Sequence, residues 1–143
     1  MRGIVIASHG KFAEGIYDAI KMFSGELKNF SYISLLPDQD LKSFIDDLKN
    51  KIDEVDSGDG VVVFCDLLYG TPSNIASSLL KEENYKERLE IISGINLATV
   101  LEYTNIRNEK FDRNKLLEVG KSSIVSVNDI MEKWFAYSNL IKF

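Results

Sequence analysis

Residues 61–80 read VVVFCDLLYGTPSNIASSLL, and the first five of them carry no charged or hydroxyl-bearing side chain. A strand with one wet face alternates apolar and polar residues. The unbroken run Val61 to Cys65 therefore predicts a strand covered on both faces, at the centre of a largely parallel α/β sheet. SGDG (Ser57 to Gly60) ahead of it is a turn cluster. Behind it, Thr71 is placed to cap a helix with Pro72 at the first helical position, where the missing N–H is not needed. Ile75, Ala76, Leu79 and Leu80 then face the core.

Working outward, β-rich runs alternate with helical periodicity, the pattern of an open α/β sheet. Gly3 to Ala7 predicts a first strand. A helix follows with Phe12, Ile16, Ile20 and Phe23 on one stripe and Gly25 to stop it. Tyr32 to Leu36 predicts a second strand, broken by Pro37. Asp38 or Asp40 can cap the next helix, which would bury Leu41, Phe44, Ile45, Leu48, Ile52 and Val55. Leu89 to Ser93 predicts a fourth strand, followed by a short helix holding Leu97, Val100 and Leu101. A charged segment, NEKFDRNKLLEVGK (108–121), leads to a β-like run, SSIVSV (122–127). Asn128 can then cap a closing helix with Ile130, Trp134, Tyr137 and Ile141 inward. No repeat, linker or low-complexity tract interrupts residues 1–143, so one α/β domain is expected.

Hydrophobic residues make up 45% and charged residues 27%, the balance of an ordinary globular protein. No apolar stretch approaches the roughly 18 residues of a membrane span, and the start lacks signal-peptide features, so a cytoplasmic protein is expected. The net charge is -5 with Lys and Arg scattered among acids, which argues against nucleic acid as a partner. The lone cysteine, Cys65, cannot form an internal disulfide and reads as a small buried strand residue. One His and one Cys are too few for a structural zinc site, although carboxylates could hold a transient magnesium ion.

In parallel sheets the functional crevice lies beyond the carboxyl ends of the strands. Three loops compete for it: SHGKF after the first strand, DLLYGTPSN after the third and SGINL after the fourth. His9, the only histidine, and Asp66 each stand just past a strand end, so parallel strands would bring them to one rim. A carboxylate that accepts from one ring N–H fixes the tautomer and frees the other nitrogen for attack. Helix N-termini after Gly10 and at Pro72 would turn N–H groups toward the same crevice, a setting for a phosphoryl group. A lone loop histidine or a strand-end Asp is most often unremarkable. It is the convergence of His9, Asp66 and the Gly-Thr-Pro turn on one edge that points to chemistry. No G-x-S-x-G elbow, G-x-G-x-x-G turn or phosphate-binding G-x-x-x-x-G-K-[ST] loop is present.

Three pieces, GIVIASHGKFAEGI around His9, VVVFCDLLYGTPSNIASSLL and SGINLATVLE, together resemble the enzyme IIA component of the mannose-type (mannose/fructose/sorbose) sugar phosphotransferase system, across residues 1 to about 127. The resemblance implies that His9 accepts a phosphoryl group from the phosphocarrier HPr and passes it to a IIB component, coupled to sugar import through a IIC/IID permease. It implies that Asp66 orients His9 and that Thr71, with Gly70 and Gly10, binds the phosphoryl group. Pro72, Asn74, Gly94 and Asn96 would be supporting loop residues, with no cofactor and no metal. The implied fold is a three-layer sandwich, a four-stranded parallel sheet between helices, plus an antiparallel strand exchanged in a homodimer. SSIVSV is the candidate for that strand. IIB is expected on a separate chain.

Two positions depart from the family pattern: Tyr69 stands where a Gly precedes Gly70, and Ala98 where a Pro is common. Alternatives stay open: a receiver-like domain phosphorylated on Asp66 with magnesium, a binding module that has lost transfer, or a dihydroxyacetone-kinase phosphocarrier.

Overall fold

The computed structural model describes the backbone of residues 1–141 and side chains through Leu140. Its elements are β1 (Gly3–His9), α1 (Phe12–Ser24), β2 (Phe30–Leu35), α2 (Leu41–Val55), β3 (Val61–Cys65), α3 (Thr71–Ser78), a 3-10 turn at Leu79–Lys81, β4 (Leu89–Ser93), α4 (Leu97–Ile106), α5 (Arg113–Ser122) and α6 (Val127–Ile141). The four strands form a parallel sheet in the order β2-β1-β3-β4. The chain leaves β1 toward β2 on one side and then crosses to place β3 on the other. The point where strand order reverses therefore lies between β1 and β3, the crevice position for a parallel sheet.

Alternate residues of the central strands feed two cores. Val5, Ala7, Val61, Val63 and Cys65 pack under α2 and α3 against Phe44, Leu48, Ile52, Ile75, Ala76 and Leu79. On the other face Ile4, Ile6, Val62 and Phe64 meet Ala13 and Ile20 of α1, Val100 and Tyr103 of α4, and Leu116 of α5. Every residue of β3 is buried, which is why its run shows no alternation.

Several expectations need correction. Phe12 and Phe23 are exposed, and α1 instead buries Ala13 and Ile20 with Ile16 and Tyr17 partly covered. At about 100° per residue Phe12 lies about 80° and Phe23 about 60° to one side of Ile20, off the face that Ala13 and Ile20 share. Leu41 and Leu80 are exposed too, Leu41 as the first residue of α2 and Leu80 in the 3-10 turn beyond α3. Gly70, not Thr71, is the N-cap of α3, moving Thr71 and Pro72 to the first two helical positions. The charged segment folds as α5, capped by Asp112, with Leu116 buried and Gly120 close against Thr99.

SSIVSV forms no strand: Ser122 ends α5, Val127 begins α6, and Ile124 and Val125 between them are exposed. A β-rich run becomes a strand only where a ladder accepts it, and within one chain this run meets none. Ser126 rather than Asn128 caps α6, accepting from Asp129 N at 3.2 Å. Ile130, Trp134 and Tyr137 are exposed rather than inward, while the side chain of Ile141 lies outside the described residues. Among the described residues, no helix is long and apolar enough to cross a membrane.

The amino-terminal ends of the strands are locked by polar contacts. Arg107, 5% exposed, donates to the carbonyls of Arg2, Lys28 and Asn29. Asp56 accepts from Gly58 N and Gly60 N at 2.8 and 3.0 Å and from Arg88 Nε at 2.8 Å, setting the turn into β3. Burial pushes the Asp56 carboxyl upward, and the Gly58 amide, Arg88 and the Gly60 amide outweigh it, so its pKa is lowered. A depressed carboxyl pKa stabilises the fold above the unfolded-state value near 4, and that stability is lost as pH falls through the folded value. Asp56→Ala is expected to cost about 2 kcal/mol near neutral pH in denaturant titrations. The difference from wild type should shrink as pH is lowered through the carboxylate range.

Candidate phosphoryl-transfer site

His9 is the last residue of β1, paired with Leu35 across the sheet. Gly10 follows at φ 54, a left-handed conformation that glycine adopts without steric cost, and its N–H donates to Leu35 O at 2.8 Å. Ser8, fully buried, accepts from Ala13 N at 2.7 Å and so ties the strand end to the first turn of α1. The backbone on both sides of His9 is therefore held by the sheet and the helix it feeds.

Asp66 directly follows β3, whose Cys65 pairs with Ala7 of β1. Its Oδ2 accepts from His9 N at 2.9 Å and lies 2.8 Å from His9 Nδ1. An ionised carboxylate only accepts, which assigns the proton to Nδ1 and leaves the Nε2 lone pair free. The two side chains differ in access: His9 is 45% exposed and Asp66 15%. Asp66 Oδ1 is buried and has no hydrogen-bond partner among the described residues.

Gly70 brings the second loop against the ring. A Cβ at this position would stand 2.7 Å from His9 Cε1 and 3.4 Å from Nε2, so only glycine permits the approach. The Gly70 amide donates to Leu67 O at 3.1 Å and the Gly10 amide is likewise taken, so these two residues shape the site without offering donors. The hydroxyl of Thr71 and the amides of Lys11, Phe12 and Thr71 have no acceptor among the described residues, and they stand at the two helix starts flanking the crevice. Pro72 is buried at the second position of α3, and Asn74 Nδ2 donates to Tyr69 O at 3.1 Å, bracing the loop. Tyr69 itself has φ 65, a conformation that costs a non-glycine residue on the order of 1 kcal/mol.

The third loop is not drawn to His9. It follows β4, two strands from β1 and hence roughly 10 Å away at the usual strand spacing. Asn96 caps α4 by accepting from Thr99 N at 2.9 Å and braces α5 by donating to Gly120 O and Ser123 Oγ. Gly94, at φ 74, turns the chain between β4 and that cap. Cys65, beside Asp66 in sequence, is no rival nucleophile, because burial and then the Asp66 charge push its thiol to about 12. Arg88, Arg107 and Arg113 are engaged elsewhere, and Arg2 lies over the Phe111 ring, so no guanidinium clamps the site. Spacing alone marks Thr71 as a cap, and only the family resemblance points to its hydroxyl as a phosphoryl ligand; Tyr69 is marked only by its departure from the family pattern.

The family described as PTS system fructose IIA component (EIIA-man) matches residues 3–118. The chain belongs to this family of phosphotransferase-system IIA components. A PTS IIA protein associated with the fucose utilization operon of Streptococcus pneumoniae is similar in structure, with a TM-score of 0.82 and 30% identity over 91% of this chain and 96% of that one. The PTS system fructose-specific EIIA component of Bacillus subtilis is 23% identical over 93% of this chain and 91% of its own length. The PTS system mannose-specific EIIAB component of Escherichia coli (strain K12) is 29% identical over 106 residues, 74% of this chain. This IIA component matches only 32% of that longer relative.

Gly70 has ordinary extended backbone angles, φ -73 and ψ 162, so its dihedral angles admit alanine, whose methyl group would meet the His9 ring at 2.7 Å and Leu67 O at 3.1 Å. Gly70→Ala is expected to displace the imidazole and weaken its bond to Asp66, turning the single tautomer of His9 into a mixture in two-bond 1H–15N correlation spectra. The melting temperature should stay within a few degrees of wild type. An unchanged imidazole spectrum would contradict the close approach.

Proposed function

We propose that this IIA component is a cytoplasmic phosphocarrier, taking a phosphoryl group from phospho-HPr onto His9 and passing it to a IIB component for sugar phosphorylation during import. The 2.8 Å bond between His9 Nδ1 and Asp66 Oδ2 carries this reading, because it leaves Nε2 as an exposed nucleophile of known orientation. The Nε2 lone pair forms the new N–P bond in line as the donor's N–P bond breaks, and the electron pair of that bond returns to the donor nitrogen. Positive charge developing on the His9 ring is met by Asp66, which keeps the Nδ1 proton hydrogen-bonded throughout.

The phosphoryl oxygens find the free Thr71 hydroxyl and the amides at the starts of α1 and α3, donors worth roughly 0.3–1 kcal/mol each. With no bidentate arginine at the site, the group is held loosely enough to move on. The reverse geometry delivers it to IIB, which hands it to sugar at the IIC/IID permease. The exposed apolar residues Ile124, Val125 and Val127 and the outward face of α6 suit burial in a homodimer.

Incubation with phosphoenolpyruvate, enzyme I and HPr is expected to label the chain with an alkali-stable, acid-labile phosphate that is absent from His9→Ala. Asp66→Asn should keep the fold and slow labelling about 10- to 100-fold. A hydroxylamine-sensitive acyl phosphate on Asp66 would instead indicate a receiver-like domain.

A further inference from the structure

Lys11 occupies a position where a lysine is out of place. It is the N-cap of α1, and no side-chain hydrogen bond caps the helix there. Ser, Thr, Asp and Asn serve best at an N-cap, and the amino-terminal end of a helix carries partial positive charge that disfavours a cation. Ser8 takes over the capping from inside β1, since its Oγ accepts from Ala13 N at 2.7 Å. Position 11 is thereby released from holding the helix start. Its side chain is exposed and takes part in no ion pair among the described residues, whereas Lys21, Lys49, Lys51 and Lys86 each pair with a glutamate. A charge that works against its own helix, two residues from His9, has its use in what His9 receives.

The charge balance of the crevice says what that use is. Asp66 Oδ2 lies 2.8 Å from His9 Nδ1, so a carboxylate stands on the edge of the ring opposite the nitrogen that would carry phosphorus. A phosphoryl group adds up to about two negative charges on the other side. The loops SHGKF, DLLYGTPSN and SGINL contain one cation between them, Lys11. Two residues of chain span at most roughly 7 Å. The flexible four-carbon stem of lysine carries its ammonium over such a distance to the Nε2 side of the ring. Glu14 in the first turn of α1, and Asp38, Asp40 and Lys42 around the start of α2, are further charged groups of this rim.

We propose that Lys11 is a catalytic residue of the phosphoryl relay, its ammonium donating a hydrogen bond to a phosphoryl oxygen on Nε2 and setting how far transfer from the donor runs. The proposal rests on His9 being the phosphoryl acceptor. Lys11 forms no covalent bond and gives up no proton. The N–P bond forms at Nε2 as the donor's N–P bond breaks, and the ammonium offsets part of the charge that arrives. A lysine suits this as a single point charge, where an arginine would grip two oxygens at once. The phosphorylated state is stabilised without being arrested.

The test reads the transfer equilibrium between dilute HPr and this chain, a property of the separated proteins that does not depend on how they dock. Lys11→Met is expected to lower the equilibrium constant for transfer onto His9 about three- to tenfold, and the difference should shrink in about 1 M salt. Followed by 31P resonance, the phosphoryl group of Lys11→Met should lose its last proton about half to one pH unit higher than that of wild type, because a nearby cation favours the dianion. Lys11→Arg should keep the wild-type equilibrium constant or exceed it. Free Lys11→Met should show the same single His9 tautomer and an equal or higher melting temperature, since a cation has left the positive end of α1. An unchanged equilibrium constant and 31P titration overturn the proposal; a raised KM for phospho-HPr alone would make Lys11 a docking contact instead. An altered His9 tautomer overturns it in favour of ring positioning, and an equal effect from Lys42→Met overturns it in favour of the general field of the rim. If wild type takes no phosphoryl group onto His9, the carrier reading itself fails and this inference with it.

Discussion

A single carboxylate oxygen, Asp66 Oδ2, accepts both the backbone N–H and the ring N–H of one residue, His9. That double acceptance links the ends of β1 and β3 across the point where strand order reverses, and the geometry of the site follows from it. The ring can reach the carboxylate only because the parallel register sets Ala7 beside Cys65, which brings the following residues to one edge. The backbone bond fixes where the strand end lies; the ring bond fixes which nitrogen faces solvent. Gly70 then closes on the Cε1 and Nε2 edge, where any side chain would displace the imidazole.

Polar strength is divided unevenly between the two ends of the sheet. At the amino-terminal end Arg107 gathers three backbone carbonyls and Arg88 pairs with Asp53 and Asp56. These contacts rigidify the sheet far from the crevice. At the carboxyl-terminal end the donors are amides and a hydroxyl, and Lys11 is the cation of the first loop. This asymmetry suits the relay proposed above, in which a rigid frame would position the ring while weak local donors avoid a trap.

Much of this was legible in the sequence because it depends on local chemistry. Val61 to Cys65 and Leu89 to Ser93 declare themselves as strands, Asp40 sits where an N-cap is needed, and His9, the last residue of β1, and Asp66, just past β3, stand at ends that parallel pairing must align. What was not legible depends on tertiary partners. In α5, mostly polar apart from Leu116 and its neighbours, the helical signal was masked by charge until α4 supplied a surface for Leu116 and Gly120. Thr71 looked like a cap because its hydroxyl could serve as one, yet Gly70 occupies that position and leaves the hydroxyl unused. The spacing of Ile130, Trp134 and Tyr137 in α6 predicts an inward face because amphipathic helices usually cover their own core, and here all three remain exposed. SSIVSV has strand composition with no ladder in its own chain.

The central claim is that Asp66 holds the Nδ1 proton and leaves Nε2 to react. With one histidine in the chain, 31P and 15N spectra of the phosphorylated protein report on that residue without ambiguity. The account predicts phosphorus bonded to Nε2 with a proton retained on Nδ1. Phosphorus on Nδ1, or a free protein whose ring carries its proton on Nε2, would contradict it.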